Sequence, residues 1–204
     1  ADENDNETNE SKETTVKTIS TEWQNEQCKM FSNTRNQFYL MRDKLRSKKN
    51  FKITKLKNIN SYWKFCFGDN VPVQSILSLD TFEKYTVLPT MSKMISLTQP
   101  QTHELLQYEI KWIETCGFTI QLALYIYSTL VAIEKPISED FMYTMRLLSK
   151  ACQNTRLKLM TQTNDNVTTD NETSDTKSLE RSCDLFICLI GRYFGQIDLA
   201  DPFN

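Results

Sequence analysis

Residues 118–134 constrain the fold most, because they are apolar on almost every side when wound at helical spacing. A helix that is hydrophobic all round is typical of a position surrounded by other helices. The most apolar part, residues 120–133, contains Gln121, Ser128 and Thr129 and falls short of the roughly 20 apolar residues that a bilayer requires. The sequence therefore predicts a central helix of a bundle and no membrane span.

Four other stretches repeat apolar residues at three- and four-residue steps, which places those residues on one helical stripe. They cover residues 21–45, 98–117, 138–159 and 179–193, with a shorter helix predicted at 90–97. Pro100 in a first turn, Gly117 after a last turn and Ser138 before Glu139 and Asp140 are typical helix boundaries. We predict an all-α fold, a single bundle of five to six helices.

Three segments interrupt this helical pattern. Residues 1–20 and 162–177 are rich in Asn, Thr, Asp and Glu and are too polar to form a core, so we predict a disordered leader and a disordered loop. The helical domain then covers residues 21–204. The aromatic cluster within residues 58–70 is interpreted as a loop that covers the core. At the end of the chain, we expect Ile197 and Leu199 to fold back onto the bundle.

The six cysteines leave two classes of protein open. There is no Cys-x-x-Cys pair and the single histidine, His103, is distant from every cysteine in sequence, which argues against a zinc site. Several cysteines lie on apolar stripes, which favours reduced thiols in an intracellular protein. However, Asn-x-Thr sequons at Asn6, Asn166 and Asn171 leave an alternative, a secreted four-helix cytokine-like ligand with disulfides.

Catalytic chemistry finds little support in the residues. A nucleophile with a histidine base would have to use His103, and no glycine-rich phosphate loop follows a strand. We therefore predict no enzyme, no metal and no cofactor. Residues 21–60 contain ten basic and three acidic residues in a chain of formal net charge −2. This segment favours either a solvated helix end or a surface for an acidic partner.

Several short blocks resemble one family. The run RYFGQIDLAD at residues 192–201 is similar to the closing signature of the gemin-two family, with Gly195 in place of an acidic residue. Upstream, LFICLIGRYF, AIEKPI, WKFCFGDN and EWQNEQCKMFSNTRNQF resemble further family blocks in the same order. From about residue 21 to residue 201, the chain therefore resembles the helical domain of this family.

The resemblance implies a non-enzymatic factor that assembles the Sm core on spliceosomal small nuclear RNA, in the cytoplasm and the nucleus. Its implied partners are the N-terminal helix of the survival-of-motor-neuron protein and the SmD1–SmD2 side of the Sm ring, with RNA contact only indirect and no membrane. The family's N-terminal arm, which grips SmF–SmE–SmG, has no counterpart in residues 1–20. Either the chain covers the helical domain alone or this member lacks the arm.

Two sets of site residues follow. We expect the partner helix to lie in an apolar groove between the central and last helices, since helix-in-groove binding needs such a surface. That groove is predicted at Leu122, Tyr125, Ile126, Thr129, Leu185 and Leu189. Sm-protein contact is predicted at Arg35, Arg42 and Arg46. The resemblance also places an arginine that pairs with an acid of the partner helix at position 124, which is leucine here.

Overall fold

The computed structural model describes residues 19–69, 87–165 and 170–202 of the 204-residue chain. Within these ranges it describes all side chains except those in the segment 162–174. These ranges fold into α-helices, with one isolated bridge residue at Ile19 and no strand among the described residues. The helices are α1 (Thr21–Arg46), α2 (Ile59–Phe67), α3 (Met91–Ile95), α4 (Gln99–Cys116), α5 (Ile120–Ala132), α6 (Glu139–Asp165) and α7 (Asp170–Cys188). A π-helical turn, Leu189–Tyr193, continues α7, and a 3-10 turn follows at Ile197–Leu199. The predicted all-α fold is confirmed.

Local side-chain caps explain why the helices begin where they do. The Ser20 hydroxyl accepts a hydrogen bond from the Trp23 amide at 3.2 Å at the start of α1. Thr98 and Gln101 form a reciprocal capping box at the start of α4. At its end, Gly117 has a φ of 83°, a backbone conformation that favours glycine. These boundaries match the ones that the sequence predicts.

Helix α2 is the element that differs from the prediction. The aromatic cluster interpreted as a loop forms a nine-residue helix, which begins with a capping box between Asn58 and Ser61. Three of its four aromatic side chains are buried, and Trp63 packs edge-on against Trp112 of α4 with ring centroids 5.1 Å apart. The interpretation as a loop was wrong, because a stretch this short does not show helical periodicity in the sequence. Burial of its aromatic rings stabilises the helix.

Helix α5 lies at the centre, as predicted. It contacts α1, α3, α4 and α7, and most of its side chains are buried. Its more accessible side carries Leu124, Tyr127 and Ser128, spaced as neighbours on one helical face. The central helix is therefore covered on most sides, while this one face reaches the surface.

The two polar segments lie partly outside the described residues. Residues 1–18 of the predicted leader and residues 166–169 of the predicted loop are outside them. Helix α6 continues to Asp165 and α7 begins at Asp170, so the described ends of the 162–177 segment are helical. Within the described ranges, none of the helices combines the length and the apolar character that crossing a bilayer demands.

Ion pairs and close packing hold the end of the chain on the bundle. Asp201 is buried and accepts two hydrogen bonds from the Arg156 guanidinium of α6, at 2.7 and 2.8 Å. Asp198 pairs with Arg146 of α6 in the same way. Leu199 is partly buried against the core as expected, whereas Ile197 is 63% exposed. The expected apolar contact is therefore correct for Leu199 and wrong for Ile197, because the paired carboxylates fix the direction of this segment.

Candidate functional site

Arg35 of α1 is an internal residue. It is buried, and its guanidinium donates hydrogen bonds to the carbonyl groups of Leu130 and Ile133 and to the Tyr39 hydroxyl. The last carbonyls of a helix have no partner within the helix, and Arg35 supplies donors for them at the end of α5. Arg35 was predicted to contact Sm proteins, and in this structure it has no surface with which to do so.

Arg42 and Arg46 follow Arg35 along α1 and are partly exposed. Arg42 forms an ion pair with Glu134, which lies just after α5, and Arg46 Nη1 is 3.8 Å from the same carboxylate. Arg46 also donates to the carbonyl groups of Ile95 and Leu97 at the end of α3, the closer at 2.7 Å. Of the three predicted arginines, only Arg42 and Arg46 are therefore accessible to a partner.

The six residues predicted for the partner groove lie mainly in the core. Five of them are at most 2% exposed: Leu122, Tyr125, Ile126, Thr129 and Leu189. Leu185 is partly buried against the same core. The prediction needs correction, because these side chains fill the space between α5 and its neighbours and leave no open groove there. For the same reason, a charged residue at Leu189 would disrupt folding before it could report on binding.

An open apolar groove lies instead on the accessible face of α5. It has a volume of about 250 Å³ and runs between α1, α3 and α5. Its walls include Phe38 of α1, Met91 and Met94 of α3, and Tyr127 and Val131 of α5. Leu124, one turn before Tyr127 and Ser128, is 38% exposed on the same face of α5. We call this surface the α1–α3–α5 groove.

The sequence contained a signal for this groove that the predicted set missed. Leu124, Tyr127 and Ser128 are spaced three and four residues apart on α5, as a separate stripe beside the buried one. On a helix that is apolar all round, periodicity cannot tell which stripe meets solvent. The positions of α1 and α3 decide it, because they leave this side of α5 only partly covered.

A buried carboxyl group lies on the opposite side of α5. Glu109 of α4 has no exposed surface, and the Thr129 hydroxyl donates to its Oε1 at 2.8 Å. Its Oε2 has no hydrogen-bond partner among the described residues. Burial raises the pKa of Glu109 well above its ordinary value, against the opposing effect of the Thr129 hydrogen bond. The Thr129 side chain thus belongs to the interior of the bundle.

His103 has a structural environment. Its ring stacks on Phe141 at a centroid distance of 4.5 Å, and its Nε2 is 2.8 Å from the Thr144 hydroxyl. Among the described residues, this ring has no hydrogen bond to a cysteine or a carboxylate, so His103 is not part of a nucleophilic pair. Among the residues that the structure describes, no group of three or more histidine, cysteine or acidic side chains could hold a metal ion.

The cysteines are free thiols and five of the six are buried. Cys28 on α1 is partly exposed and lies beside Cys188 at the end of α7. The hydrogen bond from the Cys188 thiol lowers the pKa of Cys28 to about 7, burial opposes this, and Arg192 assists it. Cys66 is fully buried, and burial raises the pKa of its thiol. The cysteines therefore fill the core as small apolar side chains, with Cys28 as the accessible exception.

Comparison with known proteins agrees with the family resemblance of the sequence blocks. The sequence profile of the family described as Survival motor neuron (SMN) interacting protein 1 (SIP1) matches residues 1–197. Gem-associated protein 2 of Xenopus laevis is 28% identical over 190 residues, which cover 88% of this chain and 68% of that protein. Gem-associated protein 2 of Mus musculus is 26% identical, again over 88% of this chain and 66% of its own length.

A solved structure has the same fold. A chain of the 8S snRNP Assembly Intermediate superposes with a TM-score of 0.63 at 19% sequence identity, covering 97% of this chain and 88% of that one. The sequence match extends over nearly the whole chain and includes the first helix, the α5–α6 boundary and most of the final motif. It leaves the cytokine-like alternative without support. The chain belongs to the family of survival motor neuron (SMN) interacting protein 1 (SIP1).

Proposed function

We propose that this protein is a non-enzymatic assembly factor for small nuclear ribonucleoproteins. The observation that carries the proposal is the family match over residues 1–197, since the family is described by its interaction with the SMN protein. The similarity in fold to a chain of an snRNP assembly intermediate supports it. Such a factor would act in the cytoplasm and the nucleus.

The first proposed partner is an amphipathic helix of an SMN-type protein, bound in the α1–α3–α5 groove. Helix-in-groove binding needs an apolar channel with anchor positions for side chains of the ligand. The groove offers Phe38, Met94 and Val131 as its floor, and Met91 at its edge is 41% exposed. Leu124 extends this surface along α5. Since the family arginine is replaced by Leu124, the partner helix should meet this end of the groove with an apolar residue.

The test is capture of the SMN-type protein of the same organism by variants of the groove. Met91→Glu and Leu124→Glu place a charge on exposed positions and should each weaken binding at least tenfold, because an apolar contact is replaced by an unpaired charge at the interface. Leu157→Glu is the matched control, since Leu157 is 50% exposed on α6 and lies outside the groove. Equal capture by all three variants would contradict the groove assignment.

The second proposed partner is the SmD1–SmD2 pair. Arg42 and Arg46 have partly exposed guanidinium groups and are the members of the predicted set that can meet a protein surface. Contacts through such groups weaken as salt screens them. Binding to purified SmD1–SmD2 should therefore fall as the salt concentration rises and should fall further in Arg42→Gln. Binding that is insensitive to salt and to this substitution would contradict the role of these arginines.

Co-purification from cells tests the whole proposal. Sm proteins and the SMN-type protein should both be recovered with the tagged full-length chain. Recovery of neither one would contradict a role in assembly. Recovery of both with the Met91→Glu variant would leave the assembly role intact and place the partner helix elsewhere.

A further inference from the structure

A second, polar cavity lies on the other side of α1. Its volume is about 400 Å³, and it is formed by α1, the turn between α5 and α6, and the π-helical turn. Arg35, Arg42 and Lys135 contribute the cations of its lining, Glu134 the one carboxylate, and Tyr39 and Tyr193 two aromatic walls. We call it the arginine–tyrosine pocket. Neither the predicted partner sites nor the α1–α3–α5 groove uses the pocket as a whole.

The charges of this pocket do not balance. Arg42 is paired with both Glu134 and Asp43, whereas Arg35 and Lys135 have no carboxylate of the described residues within ion-pair distance. Glu134 is already paired with Arg42 and lies 3.8 Å from Arg46. Arg35, at the floor, donates hydrogen bonds to carbonyl and hydroxyl oxygens and packs against aromatic rings that include Tyr39 and Tyr193. No carboxylate of the described residues lies within ion-pair distance of it. A buried guanidinium without a counter-ion makes the potential of the pocket positive and attracts an anion.

Accessible donors stand at the mouth of the pocket. Lys135 is exposed, and its Nζ lies 5.0 Å from the centre of the Tyr193 ring instead of beside a carboxylate. Asn36 is exposed on the same wall and has an amide that can donate. Arg42 adds a guanidinium that is partly exposed. Ammonium, amide and guanidinium groups around one cavity suit an anion that accepts several hydrogen bonds at once.

The excess charge indicates which anion fits. A carboxylate carries one negative charge, and Glu134 already provides one at Arg42. A phosphate monoester carries about −1.5 to −2 at neutral pH and has three acceptor oxygens. Its charge matches the two cations that lack a carboxylate partner, Arg35 and Lys135, and a pocket of this volume is within the range that small ligands occupy. The aromatic walls give the remainder of such a ligand an apolar surface.

We propose that the arginine–tyrosine pocket binds a phosphate monoester, with Arg42, Lys135 and Asn36 as its direct donors and Arg35 as a buried source of positive potential. Glu134 and Asp43 hold Arg42 in place and compete with the ligand for it. The group that carries the phosphate can be a nucleotide or a phosphorylated side chain, because both present the same dianion. This binding is independent of the proposed contact with an SMN-type helix.

Calorimetric titration of the full chain with AMP and with O-phosphoserine tests the proposal, with adenosine and serine as the controls that lack phosphate. One or both of the phosphorylated probes should bind and neither control should. Tighter binding of AMP identifies a nucleotide site, and tighter binding of O-phosphoserine identifies a site for a phosphorylated side chain. Binding of adenosine as tight as that of AMP, or no binding of either phosphorylated probe, would overturn the proposal.

Substitutions test whether the phosphorylated probe binds in the arginine–tyrosine pocket. Lys135→Gln and Arg42→Gln should each weaken the tighter probe about tenfold, as expected for loss of one hydrogen bond from a charged group. Glu134→Gln should strengthen it, since a competing carboxylate is removed. Lys111→Gln is the matched control: Lys111 is also exposed, with its Nζ 5.6 Å from the centre of the Tyr108 ring, but lies on α4 outside the pocket. A loss in this control equal to that in Lys135→Gln would overturn the assignment in favour of general charge attraction.

Discussion

Asp201, near the end of the chain, accepts two parallel hydrogen bonds from Arg156 of α6, and Arg156 also bonds Asp184 of α7. All three side chains are buried. Through Arg156, the last acid of the RYFGQIDLAD motif is thus connected to both α6 and α7. The last acid of this family-like motif therefore stabilises the fold.

Removal of this acid should destabilise the fold. Asp201→Asn leaves the buried Arg156 guanidinium with one carboxylate, Asp184, instead of two, and loss of a hydrogen bond between charged groups costs about 1.5–3 kcal/mol of the free energy of unfolding. Chemical denaturation measures the loss. Asp198→Asn, whose ion pair with Arg146 is exposed, should lose much less. Equal losses in the two variants would contradict a special role for the buried pair.

Gly191 should not tolerate a side chain. A Cβ at this position would stand 2.5 Å from the Ala200 Cβ and 2.7 Å from its Cα, so the backbone of the returning segment would have to move. Gly191→Ala should lower the free energy of unfolding by about 1–3 kcal/mol and make residues 196–202 more susceptible to limited proteolysis. Lys177→Ala, exposed on the same helix, should change neither quantity appreciably. An unchanged proteolysis pattern in Gly191→Ala would contradict the close contact.

Arg35 should stabilise the folded protein. Arg35→Met removes the donors that satisfy the Leu130 and Ile133 carbonyls at the end of α5 and should cost about 3 kcal/mol or more. Thermal unfolding measures this. Arg42→Gln, which changes a partly exposed pair with Glu134, should cost about 1 kcal/mol or less. A stable Arg35→Met protein with impaired Sm binding would reverse this assignment and support the surface role first predicted.

Glu109 should make stability depend on pH. Its pKa in the folded state is raised above the unfolded value, so the folded state binds more protons than the unfolded state between the two pKa values. The free energy of unfolding should therefore fall as the pH rises above the unfolded value of about 4.3. Glu109→Gln keeps an acceptor for Thr129 and should remove this decline, with higher stability than the parent at neutral pH. Glu114→Gln, exposed on the same helix, should retain it.

Cys28 should be the most reactive thiol. Its pKa of about 7 means that a large fraction is thiolate at neutral pH, and its side chain is partly exposed. Alkylation followed by mass spectrometry should modify Cys28 first, with a rate that rises as the pH passes through about 7. Cys66 should stay unmodified in the folded protein because it is fully buried. Faster labelling of Cys66 than of Cys28 would contradict the geometry.

Most of the fold could be predicted from residue patterns. Periodic apolar stripes and capping residues such as Thr98 and Gly117 define helices through local hydrogen bonds and one-sided burial, both of which are written in neighbouring residues. Helix α2 was missed, because its short aromatic run is stabilised by contacts with α4 that are distant in sequence. Ile197 was assigned to the core for its apolar character, although Asp198 and Asp201 determine the direction of that segment.

The candidate site was predicted less well. Leu122, Tyr125 and Ile126 were chosen because α5 is apolar all round, and a helix of that kind gives no local indication of which stripe faces solvent. Arg35, Arg42 and Arg46 look alike in sequence, yet one is buried and two are partly exposed. Which of these side chains a partner can reach depends on the neighbouring helices.

The sequence by itself determined the helical class, most helix boundaries, the central place of α5 and the family, because each of these depends on local spacing or on collinear motifs. The tertiary structure alone decided that the arginines of α1 satisfy the ends of other helices and that Asp201 pairs with Arg156. It also decided which face of α5 remains open. The physical reason is that exposure and charge pairing are set by groups that are far apart in the chain and meet only when the helices pack.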